Sequence, residues 1–384
     1  MKDDRLKIYV VSSHVDKPLK EEYRRSAYEC PIQAGAALTE KRICRINDHD
    51  DFPESISDRN QRYSEGTAMW WIARHIDSPW VGIAHYRRRF DLSDEQLSQY
   101  MDAGVDVITS TLWKQKKSIE EDYKEVFYAA DWDLFMYIIR ENTPEDEGIA
   151  EKCFASKLIR PCNMNIFKSE IYIDFCEWAF PMLDEFWRRS PVKTDRYQRR
   201  DVGFILERLS HLFVEKMIDH GKYVIEANID IQKSKNWAPE EEICDFNDPS
   251  AVFNVCDRLY KENWIDRCCQ VLIRAKDEGV MDGRMKRLAT VMAIGQAEQR
   301  RYPVTMHEYL PEELRSSLET LLQTYEGFRK AVCLYLKNRD DSARRLLKCY
   351  MELTHFSAIV INTIGRQEGA TDADLEELSF TTYR

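Results

Sequence analysis

Apolar and polar positions alternate in two rhythms along the chain. Up to about residue 230, short β-branched or aromatic runs alternate with segments of helical spacing. Residues 7–13 (KIYVVSS) predict a first buried strand, and residues 31–38 (PIQAGAAL) are small and apolar, with Gly35 permitting close backbone approach. Residues 64–75 place Ala68, Trp71, Ile72 and His75 on one helical face, with Ser57 or Asn60 as the expected cap. A short strand over 80–84 follows the Ser78-Pro79 break, then a helix over 94–103 and a strand over 105–109. This alternation predicts an α/β sheet covered by helices.

The pattern continues with one helix over 119–141, where Tyr123, Phe127, Ala130, Leu134 and Ile138 keep near 3.6 spacing. A strand at 163–167, a strongly apolar helix at 171–187 with a kink at Pro181, an amphipathic helix at 201–217 and a late strand at 222–231 complete this part. From about 248 to 365 nearly every segment is helical. Leu259, Trp264, Cys268, Val271, Leu272 and Ala275 form one stripe; Leu288, Val291, Met292 and Gly295 begin another; residues 314–336 and 343–364 supply two more. The change of rhythm places a boundary at 240–250. It gives an α/β domain over 1–245, a helical domain over 246–366 and an acidic, weakly ordered tail over 367–384.

Composition narrows the class. The chain has 384 residues, 43% hydrophobic and 32% charged, which excludes a fully disordered or fibrous chain. Its net charge of −11 argues against nucleic acid as a partner, since that binding leans on phosphate neutralisation. The best apolar stretch, 356–364, carries Asn362 and falls short of the roughly 18–20 residues a bilayer crossing needs. The amino terminus is charged and has no apolar leader pattern, and the 11 cysteines include no CxxC pair. A reduced, cytoplasmic protein is the expectation, its cysteines acting mostly as small hydrophobes.

The most informative chemistry is His85-Tyr86-Arg87-Arg88-Arg89, directly after a buried strand. Ligands of open α/β sheets bind at the carboxyl ends of strands, and arginine suits diphosphate through its planar fork. A solvated strand end is the competing reading. Asp131-Trp132-Asp133 resembles a DxD motif but lies in a helical pattern, where i and i+2 point to different faces. Asp48 to Asp51 reads as a solvated charge run. The chain has no HExxH, EF-hand, Walker, GxGxxG or GxSxG motif. Glu207 and His211 share a helix face, where a glutamate could serve as a general base; a surface ion network with Arg200 and Arg208 is the plainer reading. Trp70, Trp71 and Trp80 are placed beside the presumed crevice, at least two of them as core.

Ordered blocks of residues then resemble a known family. Ser13-His14, Pro31-Ile32-Gln33-Ala34-Gly35-Ala36, the segment Ile56-Ser57, Asn60 and Tyr63 to Ala68 with Trp71, and Val81 to Arg88 follow one another. Asn163-Met164 and Gly203-Phe204 with Glu207-Arg208-Leu209 come after them. Together they resemble bacterial capsule, exopolysaccharide and lipopolysaccharide glycosyltransferases, a family that includes UDP-galactofuranose-dependent galactofuranosyltransferases. The sequence departs from that pattern at Ser64 and Gly66, at Asn165 and at Phe127-Tyr128.

The resemblance implies a GT-A-like domain that moves a sugar, galactose or galactofuranose, from a UDP-sugar to a glycan or lipid-linked glycan acceptor. Such a fold normally sets a metal-binding DxD about where His85 to Arg88 stand, so a metal-independent reaction is expected, with Arg and His neutralising the leaving diphosphate. Ser13, His14, Gln33, Gly35, Asn60, Glu65 and Thr67 would shape the donor pocket, His85, Tyr86, Arg87 and Arg88 would bind diphosphate, and Asn163 would contact the sugar or acceptor. Glu207 is the first candidate for the base of an inverting mechanism, with Asp201 and Asp58 as alternatives. The helical domain is left to bind a partner, a second copy or the acceptor. Contact with the inner face of the cell membrane would be peripheral, although no basic amphipathic stripe supports direct docking. The competing class is a non-catalytic scaffold carrying a degenerate transferase domain.

Overall fold

The computed structural model describes residues 4–17, 19, 26–43, 46–193, 195–232, 244–301, 317–353 and 355–378. Side chains 294–301 and 348–359 lie outside the description, as do part of the expected boundary at 240–250, the start of the expected helix at 314–316 and the last residues of the expected tail. The chain divides into two compact units. The first comprises residues 1–127, 131–191 and 200–237; the second comprises 128–130, 192–199 and 238–384.

The first unit is built on a mixed sheet. Its strands are β1 (Leu6–Ser13), β2 (Glu29–Ala34), β3 (Asp48–His49), β4 (Trp80–His85), β5 (Arg88–Phe90), β6 (Val107–Ser110), β9 (Asn165–Lys168), β10 (Val224–Ala227) and β11 (Ile229–Ile231). A separate small pair joins β7 (Trp113–Lys114) to β8 (Leu158–Ile159). The main path runs β10-β6-β9-β4-β1-β2-β3. β1 is parallel to both β2 and β4, and β9 lies antiparallel between β4 and β6. β1 is buried along most of its length, as its unbroken apolar run demands of a central parallel strand. Gly82 is required in β4, because a Cβ there would lie 2.7 Å from Ile166 Cγ1 and 3.2 Å from Ile8 Cγ1.

Helices cover both faces of the sheet. The helices of this unit are α1 (Asn60–Tyr63), α2 (Gly66–Arg74), α3 (Asp94–Asp102), α4 (Ile119–Val126), α5 (Ala129–Asn142), α6 (Glu147–Phe154), α7 (Ser169–Arg189) and α8 (Asp201–Asp219). On one face Ile8, Val10, Ala84, Ile108 and Ile166 pack with Leu97 and Met101 of α3. On the other, Tyr9 meets Trp71 of α2 edge to face, and Phe167 meets Phe175 of α7 and Phe213 of α8. α8 is buried along most of its surface, which makes it the inner helix. This α/β unit, followed by a helical region, is the fold class expected from the sequence.

Several local expectations are corrected. The single helix over 119–141 is broken, because Phe127 is extended and ends α4 before α5 begins. The late strand is two, β10 and β11. Neither Ser57 nor Asn60 caps α2; Ser57 begins a 3-10 turn and Glu65 precedes the helix without a side-chain cap. The Leu259 to Ala275 stripe is divided between α9 (Pro249–Lys261) and α10 (Ile265–Asp277), with Asn263 left-handed at φ 60° between them.

The second unit continues with α11 (Gly283–Arg301), α12 (Leu318–Asn338), α13 (Asp341–Leu353), α14 (His355–Gln367) and α15 (Asp372–Leu378). Its core joins Phe253, Leu259, Cys268, Leu272, Leu288, Tyr325 and Ile361. Buried Asp195 receives the backbone N–H groups of Tyr197 and Gln198 (both 2.8 Å) and of Ile265 (2.7 Å), tying the 192–199 segment to the start of α10. α15 occupies part of the expected tail: Asp374 accepts from Thr371 and pairs with Arg339. No described helix is long and apolar enough to cross a membrane.

Candidate active site at the carboxyl ends of the central strands

The parallel strands β2, β1 and β4 finish side by side, with Ser13 opposite Ala34 and Val11 opposite His85. The Tyr86 N–H donates to Val11 O at 3.0 Å, so the ladder extends one residue past β4. The chain then reverses through Tyr86-Arg87 into β5, pairing His85 with Arg88. Successive residues of β5 face opposite sides. Arg89 ion-pairs with largely buried Glu29 at 2.7 Å and also donates to His85 O, which fixes the hairpin. Arg88 lies on the His85 side, its Nε buried without a hydrogen-bond partner.

His85 is where three segments meet. Its Nε2–H donates to Cys162 O at 2.6 Å. The Cys162 N–H donates to Glu207 Oε1 at 2.5 Å, and Asn163 Nδ2 donates to Glu65 Oε1 at 2.7 Å. Cys162 and Asn163 are both left-handed, at φ 77° and 50°, an arrangement non-glycine residues hold only when their surroundings impose it. Here His85, Glu207 and Glu65 impose it. Asn163 is 3% exposed, and its Oδ1 has no partner.

The electrostatics follow from burial. Burial drives His85 below its usual range against the pull of Glu65, and Arg88 and Arg200 push the same way. Burial works to raise the Glu65 carboxyl, but His85, Arg200 and the Asn163 amide outweigh it and hold it low. His85 and Glu65 thus form a buried pair in which burial opposes charge on both and each favours charge on the other. Half-buried Asp16, past the end of β1, accepts from the Ser13 N–H at 2.6 Å. Burial pushes it up to about 6, against Ser13, Arg87 and Arg200.

The neighbouring residues shape the crevice from behind. Asn60 Nδ2 donates to Ser64 O (2.6 Å) and to Thr67 Oγ1 (2.9 Å), bracing the kink between α1 and α2 where Ser64 takes φ 51°. Gly35, left-handed at φ 68°, sits where a Cβ would lie 2.7 Å from Asn60 Oδ1. Gln33 is fully buried, its amide donating to Lys41 O and accepting from the Ile43 N–H. It holds a loop with both ends. Ser13 closes a turn with Asp16, and His14 Nδ1 is buried without a partner.

Asp50 overturns the reading of 48–51 as a solvated run. It is fully buried and accepts from Gly35 N (2.8 Å), Ala36 N (3.0 Å) and Ser57 Oγ (2.5 Å), so it builds the turn after β2. Glu207 is not part of a surface network; its Oε2 accepts from largely buried Arg208 at 2.7 Å. His211 is buried and pushed down by burial to about 3. Asp201 lies closed within the Arg62 guanidinium, whereas Asp58 is exposed on the 3-10 turn. Of the tryptophans, Trp80 begins β4 and is far along the strand from its carboxyl end, donating to Val105 O. Trp70 packs on Phe180 and lines a different cavity of about 650 Å³ between α2 and α7, and Trp71 stacks on His75.

The residues at the end of β4 do not fit a divalent cation, since they offer guanidiniums and a carbonyl-bound imidazole in place of carboxylates. Asp131 is buried and Asp133 exposed on α5, so those carboxylates diverge. Among the described residues no three His, Cys, Asp or Glu side chains gather as a ligand set. Asp16, Asp50, Cys162 and Arg200 are the site residues that sequence reasoning missed. Asp16 stands three residues past a strand-ending serine, and its carboxylate accepts back from the Ser13 N–H.

A family model described as a domain of unknown function, DUF4422, matches residues 7–218. No curated protein matches the chain. Among solved structures, the apo structure of the bifunctional glycosyltransferase WbbM is similar at a TM-score of 0.52 and 22% identity, over 59% of this chain. The match spans 45% of that chain, less than half its length.

Proposed function

Since the chain belongs to the DUF4422 family, we propose, from its glycosyltransferase-like fold and its crevice, that it is a glycosyltransferase of surface-polysaccharide assembly. It moves a sugar, galactose in pyranose or furanose form, from a UDP-sugar to a glycan or lipid-linked glycan acceptor. One observation carries the reading. At the carboxyl edge of β1, β2 and β4 the guanidiniums of Arg87, Arg88 and Arg200 gather with the carboxylates of Asp16, Glu65 and Glu207, beside a strained turn that leaves a buried acceptor, Asn163 Oδ1, unpaired. An unpaired buried acceptor costs about 1–3 kcal/mol, which a sugar hydroxyl would recover.

In this mechanism an acceptor hydroxyl attacks the anomeric carbon as the bond to the diphosphate oxygen breaks. UDP leaves with the electron pair, and inversion follows from the single displacement. Arg87 and Arg88 stabilise the charge growing on the diphosphate without a metal ion, the preorganised electrostatic effect that dominates many enzymes. Glu207 takes the hydroxyl proton. Its two hydrogen bonds, from Cys162 and Arg208, leave lone pairs for that transfer. His85 holds the turn that carries Asn163.

The test is transfer of radiolabelled sugar from UDP-galactose or UDP-galactofuranose to a glycan acceptor, with and without EDTA. Transfer that survives chelation is the expected result. Activity abolished by EDTA and restored by Mn²⁺ would overturn metal independence. No binding of any nucleoside diphosphate would overturn the transferase reading and favour the scaffold.

A further inference from the structure

We infer that Arg200 is a diphosphate-binding residue of this crevice, a role that no sequence block points to and that rests on the transferase reading above. Arg200 immediately precedes α8. Its Nε donates to Ser64 Oγ at 2.9 Å, and its guanidinium lies 5.5 Å from the Phe204 ring centroid. These contacts orient the group from one edge and one face. Nη1 and Nη2 donate to no described residue. An arginine held by Nε presents the remaining edge of its planar fork, the edge that grips two phosphate oxygens together.

Arg200 also stands near the other groups of the crevice. Arg200 acts electrostatically on Asp16, on Glu65 and on His85, groups that come from the end of β1, the start of α2 and the end of β4. Arg87 and Arg88 reach the same crevice from the β4–β5 turn, acting on Asp16, His85 and Cys162. Arginines thus approach from two unconnected elements. Two such elements suit the two phosphates of a nucleoside diphosphate better than one phosphate.

The anchor is built by close packing. A Cβ at Gly203 would lie 3.0 Å from Ser64 Oγ and 3.1 Å from Ser64 Cβ, so the first turn of α8 rests against the α1–α2 kink. That contact holds the serine hydroxyl within reach of Arg200. Ser64 is also a position where the sequence departs from the resembled family, so the anchor belongs to this chain's own residues.

The experiment is calorimetric titration of the full chain with uridine, UMP and UDP, comparing wild type with Arg200→Ala, Arg200→Lys and Ser64→Ala. Wild type is expected to bind UDP more tightly than uridine. Arg200→Ala should weaken UDP at least tenfold and leave uridine within twofold, with an unchanged melting temperature because the side chain is exposed. Arg200→Lys should recover part of the loss, and Ser64→Ala should weaken UDP by about two- to fivefold through the lost anchor. A wild-type ratio of UDP to uridine affinity retained in Arg200→Ala would overturn this assignment while leaving the transferase reading intact. Failure of the wild type to bind UDP would overturn both.

Discussion

Arg62 closes a two-pronged fork on Asp201, with Nε 2.9 Å from Oδ1 and Nη2 2.6 Å from Oδ2, across 139 residues of chain. Both side chains are buried, and Ser190 and the Trp187 carbonyl complete the guanidinium's partners. The pair locks α1 to the first turn of α8, the two elements that meet at Ser64. Removing one partner strands the other as a buried charge. Arg62→Ala should therefore cost about 3–5 kcal/mol of stability in urea denaturation. A loss below about 1 kcal/mol would show that water reaches Asp201 and that the fork is not structural.

Asp50 makes a second stability prediction. Asp50→Ala leaves the Gly35 and Ala36 N–H groups buried without their acceptor and should cost about 1–3 kcal/mol per orphaned group. Gly35→Ala, which forces a Cβ into a left-handed residue against Asn60, should destabilise as well and weaken UDP binding. If both variants melt as the wild type does, the turn after β2 is not the rigid floor described.

His211 sets the acid side of the stability curve. Its folded pKa is depressed to about 3 by burial, while the unfolded value is about 6.5. The unfolded chain binds the proton first, so stability is full above about 6.5 and falls progressively as the pH drops towards 3. His211→Gln should flatten that part of the curve, measured as denaturation midpoints between pH 4 and 7. An unchanged slope would place the acid sensitivity elsewhere.

Asp16 acts with the opposite sign. Its folded pKa of about 6 lies above the ordinary carboxylate value, so the folded chain binds the proton first. Its contribution is most favourable below about 4 and is lost as the pH rises through about 6. Asp16→Asn keeps an acceptor for the Ser13 N–H and should melt higher than wild type at pH 7.5, with the difference vanishing near pH 4. Equal melting at both values would mean the carboxyl is better hydrated than its surroundings indicate.

Glu207→Gln separates chemistry from binding. An amide can still accept from the Cys162 N–H but cannot take a proton. Transfer should fall about 10²–10⁴-fold in kcat. UDP affinity should stay within threefold. A kcat close to wild type would move the base to another carboxylate, Asp16 first.

Local physics was readable in the sequence wherever it was sufficient. β1 and β4 are short apolar runs with no alternative partner pattern, and the α3 and α4 starts carry capping boxes, Ser93 with Gln96 and Ser118 with Glu121. The break after α4 was hidden because Phe127 and Tyr128 keep apolar spacing across it, whereas the backbone turns extended at Phe127. Within the candidate site, the His85 to Arg88 cluster stood out by composition. Asp50 looked like one charge among several because its partners lie 14 and 15 residues upstream. The left-handed pair Cys162-Asn163 contains no glycine, and its support comes from β4, α2 and α8, so no neighbouring residue advertises it.

The pairing of β5 with β11 has a consequence for how the protein is made. Arg88 and Arg89 stand opposite Ile231 and Asp230, which leave the ribosome some 140 residues later. Until that late strand emerges, the arginine hairpin has only one side of its ladder. Synthesis therefore joins the crevice's cations to their final partner after the rest of the sheet is laid down. A nascent chain released early would hold most of the fold without a finished anion site.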